Sequence, residues 1–206
     1  MPVKSFFEGR VVPLILAAGP APRLGFPHAL AEFGGRTAAA IAVENCFRAG
    51  LARPIVVLGW EAAQARRVVP HGVRVVINRR WREGMLGSIR AGLRHVPRNA
   101  AFLLYPVDLP LLTPAILRQF VKAFARRRSG QMIVSPVHRG RAGHPVILAA
   151  ELRRELAHAK TAREIVERDA PRLKLIHVNS SAIYADYNTP SELRRLQRAF
   201  ARRHSR

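Results

Sequence analysis

Short apolar runs that alternate with amphipathic stretches restrict the fold of this chain more than any other feature. Nearly continuous runs of Val, Ile and Leu occupy residues 11–16, 54–58, 73–77, 101–105 and 132–137, and such runs are typical of strands covered on both faces. Residues 37–49, 61–69 and 88–95 carry apolar side chains at helical spacing and stop at or before a glycine or a proline. The alternation predicts right-handed crossovers and a mainly parallel α/β sheet, with ligands beyond the carboxyl ends of the strands.

Two further helices have clear beginnings. Thr113 precedes Pro114, so a cap residue stands before a proline at the first helical position. Thr189 and Pro190 repeat that arrangement, and Glu192 completes a capping box before a basic helix and tail at about 190–206. The chain has 206 residues, 49% of them hydrophobic, without an internal repeat or a low-complexity linker. We therefore expect a single domain over residues 1–206.

Composition limits the compartment and the partners. No apolar run approaches the ~20 residues that span a bilayer, and the N-terminus lacks the features of a signal peptide. The one cysteine, Cys46, lies in an apolar helical pattern and is expected to pack in the core. We therefore expect a soluble, cytoplasmic protein without a membrane partner. The net charge of +22 suits nucleic acid, but the arginines are scattered, so nucleic-acid binding is not favoured as the main function.

A loop of small residues follows the first predicted strand. Residues 16–25 read LAAGPAPRLG, in which glycine and alanine let backbone N–H groups approach an anion and Arg23 can hold two phosphate oxygens. The spacing is neither the dinucleotide G-x-G-x-x-G nor the Walker motif. A triphosphate-binding loop and an ordinary strand-to-helix connection both fit this segment.

Asp108 follows the predicted strand 101–105 and is well placed to hold Mg²⁺. Only 13 residues of the chain are acidic, which makes a carboxylate at this position notable. Asn188 or Asp186 could supply a second oxygen ligand to the same metal. The competing interpretations are that Asp108 caps a turn before Thr113 and that residues 186–190 only lead into the last helix.

Two other loops carry groups that suit a phosphorylated ligand. Gly84 and Gly87 bracket the segment before a helix that is expected to begin near Ser88, and such a helix start can bind a base edge or a phosphate or merely cap the helix. Residues 139–145 combine glycine and proline with cationic or hydrogen-bonding side chains, which suit an anionic acceptor. A simple hairpin turn is the alternative for this second loop. Its candidate acceptor-binding residues are Arg141, Gly143, His144 and Pro145.

Taken together and in this order, the five segments resemble the MobA-like family of molybdenum-cofactor nucleotidyltransferases. The family pattern runs L-A-A/G-G-x-S-x-R-M/L-G-x-x-K, then G-M-x-x-S, L-x-D-x-P, G-H-P and D/N-x-D/N-T-P. The resemblance covers residues 12 to about 198 and implies a three-layer αβα nucleotidyltransferase fold of Rossmann-like type. It also implies transfer of a nucleoside monophosphate from CTP, or less readily GTP, to molybdopterin or a related phosphorylated molecule, with release of pyrophosphate.

The resemblance also implies roles for individual residues. Arg23 contacts the β and γ phosphates, Asp108 and Asn188 hold Mg²⁺, His28 lies near the α-phosphate, and residues 143–145 line the acceptor side. Alanine at position 18 is the reason to favour CTP. The nucleotide-binding set is Leu16, Ala17, Ala18, Gly19, Arg23, Gly84 and Ser88, and the catalytic set is Arg23, His28 and Asp108.

This chain departs from the family pattern at two loop positions. Ala21 replaces the serine, and His28 replaces the lysine. A histidine with an ordinary pKa near ~6.5 is mostly neutral at pH 7, so losing the permanent cation could cost ~10²-fold in rate or more. Either His28 or Arg36 takes over that role, or the protein binds nucleotide or molybdenum cofactor as a delivery protein for a molybdenum enzyme.

Overall fold

A computed structural model describes residues 11–204. Its main sheet has eight strands, seven of them in the order β5-β4-β1-β6-β9-β7-β10 with β8 paired to β7. β9 runs antiparallel to β6 and β7, β8 runs antiparallel to β7, and the other pairs are parallel. The strands are β1 (Val11–Ala17), β4 (Ile55–Leu58), β5 (Arg74–Ile77), β6 (Ala101–Pro106), β7 (Ile133–His138), β8 (Arg141–Ala142), β9 (Val146–Leu148) and β10 (Leu173–His177), and β2 (Glu32–Phe33) and β3 (Arg36–Thr37) form a separate hairpin.

Helices cover both faces of the sheet. Seven α-helices occur in residues 11–204: α1 (Ala38–Arg48), α2 (Ala62–Arg67), α3 (Met85–Leu93), α4 (Pro114–Ala125), α5 (Arg153–His158), α6 (Ala162–Glu167) and α7 (Pro190–His204). Side chains of α1, α2, α4 and α7 pack in one core, and those of α3, α5 and α6 pack in the other. β1 lies between the two cores and is buried throughout. The predicted three-layer, mainly parallel αβα fold is confirmed.

The elements agree with the sequence pattern where that pattern is regular. All five predicted strands are present within two residues of their expected bounds, as are α1 and α2. Cys46 is buried in the core, and burial raises the pKa of its thiol. The expected helix start at Ser88 is wrong, because α3 begins at Met85 and Gly84 is its N-cap. Gly84 has φ of 88°, a conformation that glycine adopts without strain.

Threonine hydroxyls cap the beginnings of four helices in residues 11–204, namely α1, α4, α6 (at Thr161) and α7. The hydroxyl oxygens of Thr37 and Thr113 accept from Ala40 N and Ile116 N, and each such cap contributes about 1 kcal/mol. At α7 the Thr189 hydroxyl oxygen accepts from Glu192 N at 3.3 Å, while the Glu192 carboxylate accepts from Thr189 N at 3.0 Å. The predicted capping box is therefore present. No helix within residues 11–204 is long and apolar enough to cross a membrane.

Candidate functional site

The carboxyl ends of β1 and β6 are joined by hydrogen bonds just before both candidate loops. Val107 N donates to Leu16 O at 3.1 Å, so the segment that carries Asp108 is tied to the start of the loop at residues 16–25. Trp60 N donates to Ala18 O at 3.0 Å from the end of β4. Leu16 and Ala17 thus belong to the end of β1, and Ala18 is buried beside β4. The parallel strands bring these segments to one edge of the sheet, as expected.

The loop after β1 presents unused backbone donors. Ala21 O accepts from both Leu24 N and Gly25 N, which closes a tight turn. Within the described chain, the N–H groups of Gly19, Ala21 and Arg23 donate to no protein acceptor. Pro20 and Pro22, which have no N–H, separate these three donors. Gly19 and Arg23 are exposed, whereas Ala21 is buried, so the loop offers at least two free donors to an anion.

A reciprocal pair of hydrogen bonds joins this region to the segment before α7. His28 Nε2 donates to Tyr187 O at 2.9 Å, and the Tyr187 hydroxyl donates to His28 O at 2.8 Å. Because a carbonyl can only accept, Nε2 carries a proton, and Nδ1 is the ring nitrogen left for another partner. Tyr187 is fully buried, and the two ring centroids are 5.3 Å apart. His28 therefore holds two predicted site segments together.

Asp108 lies close to two other charged or ionisable groups. Burial raises the pKa of Asp108, His28 opposes the shift, and the Asp186 carboxylate adds to it. Oδ1 of Asp108 is shielded from solvent and has no hydrogen-bond partner within the described residues. Asn188 Nδ2 donates to Asp186 Oδ2 at 3.2 Å, which leaves the Asn188 amide oxygen as an acceptor. The segment 186–188 thus brings further oxygen groups to the neighbourhood of Asp108.

A cavity of about 580 Å³ opens beside Asp108. Its floor includes Leu104 and Val146, and Met85 of α3 lies on its wall. Arg141 stacks on the Tyr184 ring at 4.4 Å, and Arg163 of α6 forms an ion pair with Glu167 at 2.7 Å. All four of these polar or aromatic residues line the cavity. The lining therefore combines apolar side chains with two arginines and three carboxylates, those of Asp108, Glu167 and Asp186. Arg141 is the arginine that stacks on a ring and could meet an anionic group of a ligand.

Gly143 and His144 hold one wall of this cavity against Ile183. His144 N donates to Ile183 O at 2.7 Å, and Gly143 N donates to Pro136 O at 3.1 Å. A Cβ added to Gly143 would lie 2.3 Å from Ile183 O, so only glycine permits this close approach. Arg141, Gly143 and His144 line the cavity with Asp108, whereas Pro145 does not.

His144 is expected to make the protein sensitive to mild acid. Burial lowers its pKa although Asp186 acts in the opposite direction, and its Nδ1 has no hydrogen-bond partner in the described part of the chain. Below about pH 6.5 this histidine is protonated in the unfolded chain but stays neutral in the folded chain. The free energy of unfolding therefore falls as the pH drops below that value, by at most about 1.4 kcal/mol per pH unit. Urea unfolding at pH 7 and pH 5 should show a smaller loss for His144→Asn.

The matched control is His71→Asn, which replaces an exposed histidine. It should lose as much stability as the native chain between these pH values. Equal losses in the native chain and His144→Asn would contradict the role of His144.

The segment at the start of α3 contacts the first loop indirectly. Ser88 is buried, and its hydroxyl accepts from Asn78 Nδ2 at 3.1 Å. Asn78 N also donates to Leu58 O at 2.7 Å, so Ser88 belongs to a polar network beyond β4 and β5. At Gly59 an added Cβ would lie 2.6 Å from both Ala18 O and Trp81 Cβ. The close packing at Gly59 joins the first loop to the segment before α3.

Sequence reasoning did not single out Gly59, Asn78 or Tyr187. Gly59 and Asn78 are each the first residue after a strand. Because ligands of parallel sheets bind beyond the carboxyl ends of the strands, both positions could have been chosen from the sequence. No sequence signal pointed to Tyr187, because its role depends on a contact with His28 across 159 positions.

The fold of this chain is shared with solved structures of nucleotidyltransferases. The chain is 22% identical to a nucleotidyl transferase from Methanothermobacter thermautotroptrophicus, with a TM-score of 0.80 over 94% of this chain and 98% of that one. The manganese complex of Rv0371c from Mycobacterium tuberculosis is 22% identical, with a TM-score of 0.78 over 92% and 99%. A CMP:2-keto-3-deoxy-manno-octonic acid synthetase with CTP is 12% identical, with a TM-score of 0.74 over 94% and 99%. These likenesses establish a nucleotidyltransferase fold.

The family follows from the sequence match. Residues 13–173 match the MobA-like NTP transferase domain, and the chain belongs to this family. The resemblance inferred from its motifs is therefore confirmed, and the protein is a nucleotidyltransferase. No curated protein matches the chain.

Proposed function

We propose that this chain transfers CMP, or less readily GMP, from a nucleoside triphosphate to the phosphate of molybdopterin or a related small molecule in the cytoplasm, releasing pyrophosphate. The observation that carries the proposal is the meeting of three segments at one sheet edge: the loop with free donors, Asp108, and residues 186–188. The family match supports the triphosphate as donor. The motif set supports the molybdopterin-type acceptor.

In this proposal the first loop holds the triphosphate. The N–H groups of Gly19 and Arg23 bind phosphate oxygens, and the Arg23 guanidinium neutralises the pyrophosphate that leaves. Arg23 lies near Glu192, since it contributes to the low pKa of that carboxyl after the Asn188 and Thr189 hydrogen bonds. Residues 16–18 fix the loop on the sheet. Gly84, which is supported by Ser88, shapes the part of the site that holds the nucleotide base.

The residues near Asp108 fit a divalent cation such as Mg²⁺. Asp108 Oδ1 is a buried oxygen without a partner in the described region, and Asp186 and the Asn188 amide oxygen supply the oxygen ligands that a hard cation prefers. Residues 11–204 contain no cluster of three or more His, Cys, Asp or Glu that could hold a metal alone. Phosphate oxygens and water would complete the ligand set. The bound cation would offset negative charge on the phosphates.

The acceptor occupies the cavity of about 580 Å³ in this proposal. Arg141 attracts its anionic groups and is already oriented by Tyr184. Gly143 and His144 shape the wall, and the acceptor phosphate is held in line for attack on the α-phosphorus. His28 lies near Asp108, and its Nδ1 is the ring nitrogen left to interact with the α-phosphate.

The second candidate function is binding and delivery of nucleotide or molybdenum cofactor to a molybdenum enzyme without turnover. The observation that favours it is the use of His28 Nε2 by Tyr187 O, which leaves one ring nitrogen where the family pattern has a flexible lysine. This candidate predicts that His28→Lys creates turnover or raises it by about 10²-fold or more.

Pyrophosphate release separates the two candidates. We expect native protein to release pyrophosphate from CTP with Mg²⁺ and molybdopterin, faster than from GTP. His28→Lys should then change the rate by less than about tenfold, because His28 already serves the site. Absence of release from any nucleoside triphosphate by folded native protein, together with release by His28→Lys, would favour delivery.

A further inference from the structure

A second cavity, larger than the one at the candidate active site, lies near the opposite end of β6. It has a volume of about 820 Å³ and is formed by the end of α3, the turn before β6 and the start of α5. Asp108 follows β6 and this cavity precedes it, so the six residues of the strand place the two sites about 20 Å apart. The two cavities share no lining residue.

Four arginines and one glutamate line this cavity: Arg94, Arg98, Arg153, Arg154 and Glu151. Arg94, Arg98 and Arg154 are exposed, and none of their side chains makes a hydrogen bond or an ion pair with another residue in the described part of the chain. Leu93, Val96 and Ala150 supply apolar wall between the cations. Cations at such a wall are screened less than cations on a flat surface.

Arg153 is the fixed member of this arginine cluster. Its Nη1 donates to Leu93 O at 2.6 Å, and its Nη2 donates to Val96 O at 3.2 Å and Pro97 O at 2.9 Å. These bonds cap the end of α3, which explains Arg153 but not the other three arginines. Arg153 Nε is buried without an acceptor within residues 11–204. Burial and the charge of Arg98 lower the pKa of Arg153, so two like charges are held close together.

We propose that this arginine-lined cavity binds a polyphosphate chain, at a site separate from the candidate nucleotide site. Guanidinium groups pair with phosphate oxygens through two parallel hydrogen bonds, and several of them around one concavity match the repeated charges of such a chain. Four cations against one carboxylate leave an excess of positive charge that a polyvalent anion neutralises. The concave shape favours a compact anion over a nucleic-acid duplex, which needs an extended basic face.

Calorimetric titration of inorganic tripolyphosphate into the native chain tests the site. The buffer contains 0.15 M salt to screen weak surface contacts, and EDTA to remove divalent metal from the Asp108 region. We expect Arg98→Gln to weaken binding at least about tenfold, and Arg98→Gln with Arg154→Gln at least about 100-fold, since each substitution removes a guanidinium that pairs with phosphate oxygens. Both substitutions are at exposed positions, and unchanged melting temperatures verify the fold.

Arg66→Gln is the matched control, because it removes the same charge from the exposed surface of α2. Binding that falls equally in Arg66→Gln and Arg98→Gln would overturn the proposal, as would binding that Arg23→Gln abolishes while Arg98→Gln leaves it intact. Arg98-dependent binding of a DNA duplex without binding of tripolyphosphate would also overturn it. A parallel titration with ATP shows whether the bound phosphates belong to a nucleotide or to free polyphosphate. Arg98-dependent binding of ATP that is as tight as that of tripolyphosphate, or tighter, indicates a nucleotide, and weaker binding indicates free polyphosphate. No acceptor or turnover is required, so the result is independent of the proposed transferase activity.

Discussion

Asp108→Asn should reduce pyrophosphate release at least about 10³-fold while making the protein without metal more stable. The loss of activity follows because the carboxylate is the buried oxygen group at the centre of the site, and metal stabilisation of a phosphoryl transition state contributes several kcal/mol. The gain in stability follows because burial raises the pKa of Asp108. Ionisation of the buried carboxyl is therefore disfavoured in the folded chain, and asparagine removes that penalty.

The sign of the stability change depends on pH. The pKa of an aspartate in the unfolded chain is near ~3.9. Because the pKa of Asp108 is higher in the folded chain, its carboxyl lowers the free energy of unfolding as the pH rises above that value, whereas below it the carboxyl is protonated in both states. In EDTA at pH 7, Asp108→Asn should therefore melt about 2–4 °C higher, which corresponds to about 1 kcal/mol. The difference should disappear near pH 3.5.

Asp169→Asn makes the same chemical change at an exposed acid and should alter neither rate nor melting temperature. Calorimetric scans and a pyrophosphate assay on the three proteins check both effects. An Asp108→Asn protein that turns over at the native rate would contradict the assignment of the site.

Gly143→Ala is expected to have the largest effect on stability. The new Cβ would lie 2.3 Å from Ile183 O and 2.8 Å from Ile183 C, and the Gly143 N–H bond to Pro136 O opposes a shift of the backbone. Overpacking of this kind costs up to about 3 kcal/mol, which lowers the melting temperature by about 6–12 °C. Displacement of Ile183 and Tyr184 should also raise the KM for the acceptor more than it lowers kcat, because both residues line the acceptor cavity.

Gly140→Ala provides the comparison for this substitution. Gly140 lies in the same hairpin with φ of 76°, and an added Cβ would meet nothing within 4 Å. Its cost is the left-handed backbone alone, about 1 kcal/mol. Melting curves that show equal losses for the two variants would contradict a steric role for Gly143, and an unchanged KM would separate the hairpin from the acceptor cavity.

Most of the fold was predictable because β1, β4, β6 and β7 are buried along nearly their whole length. β5 was found from its apolar run although it is partly exposed at a sheet edge. β1 lies between two cores, so every position favours an apolar side chain and the run is visible in the sequence. β10 is at the sheet edge and half exposed, and β9 has only three residues. Neither leaves a pattern that distinguishes it from a loop. The start of α3 was misplaced because Gly84 and Gly87 read as loop residues, although Gly84 is the N-cap.

The candidate site was predictable as far as its motifs are local. Asp108 was chosen from one segment, and Arg141, Gly143 and His144 from another, and the fold places all four around one cavity. The interaction of His28 with Tyr187 was not predictable, because two residues 159 positions apart exchange hydrogen bonds through backbone carbonyls. Backbone acceptors carry no sequence signature. The clustered arginines near Arg153 were likewise hidden among 35 lysines and arginines.

Calorimetric titration of CTP and GTP, with and without Mg²⁺, tests the central claim that the first loop and Asp108 form one metal-dependent nucleotide site. We expect CTP to bind more tightly than GTP, and Mg²⁺ to strengthen CTP binding at least about tenfold in the native chain and not in Asp108→Asn. Equal affinities with and without Mg²⁺ in the native chain, or an equal response to Mg²⁺ in Asp108→Asn, would contradict it.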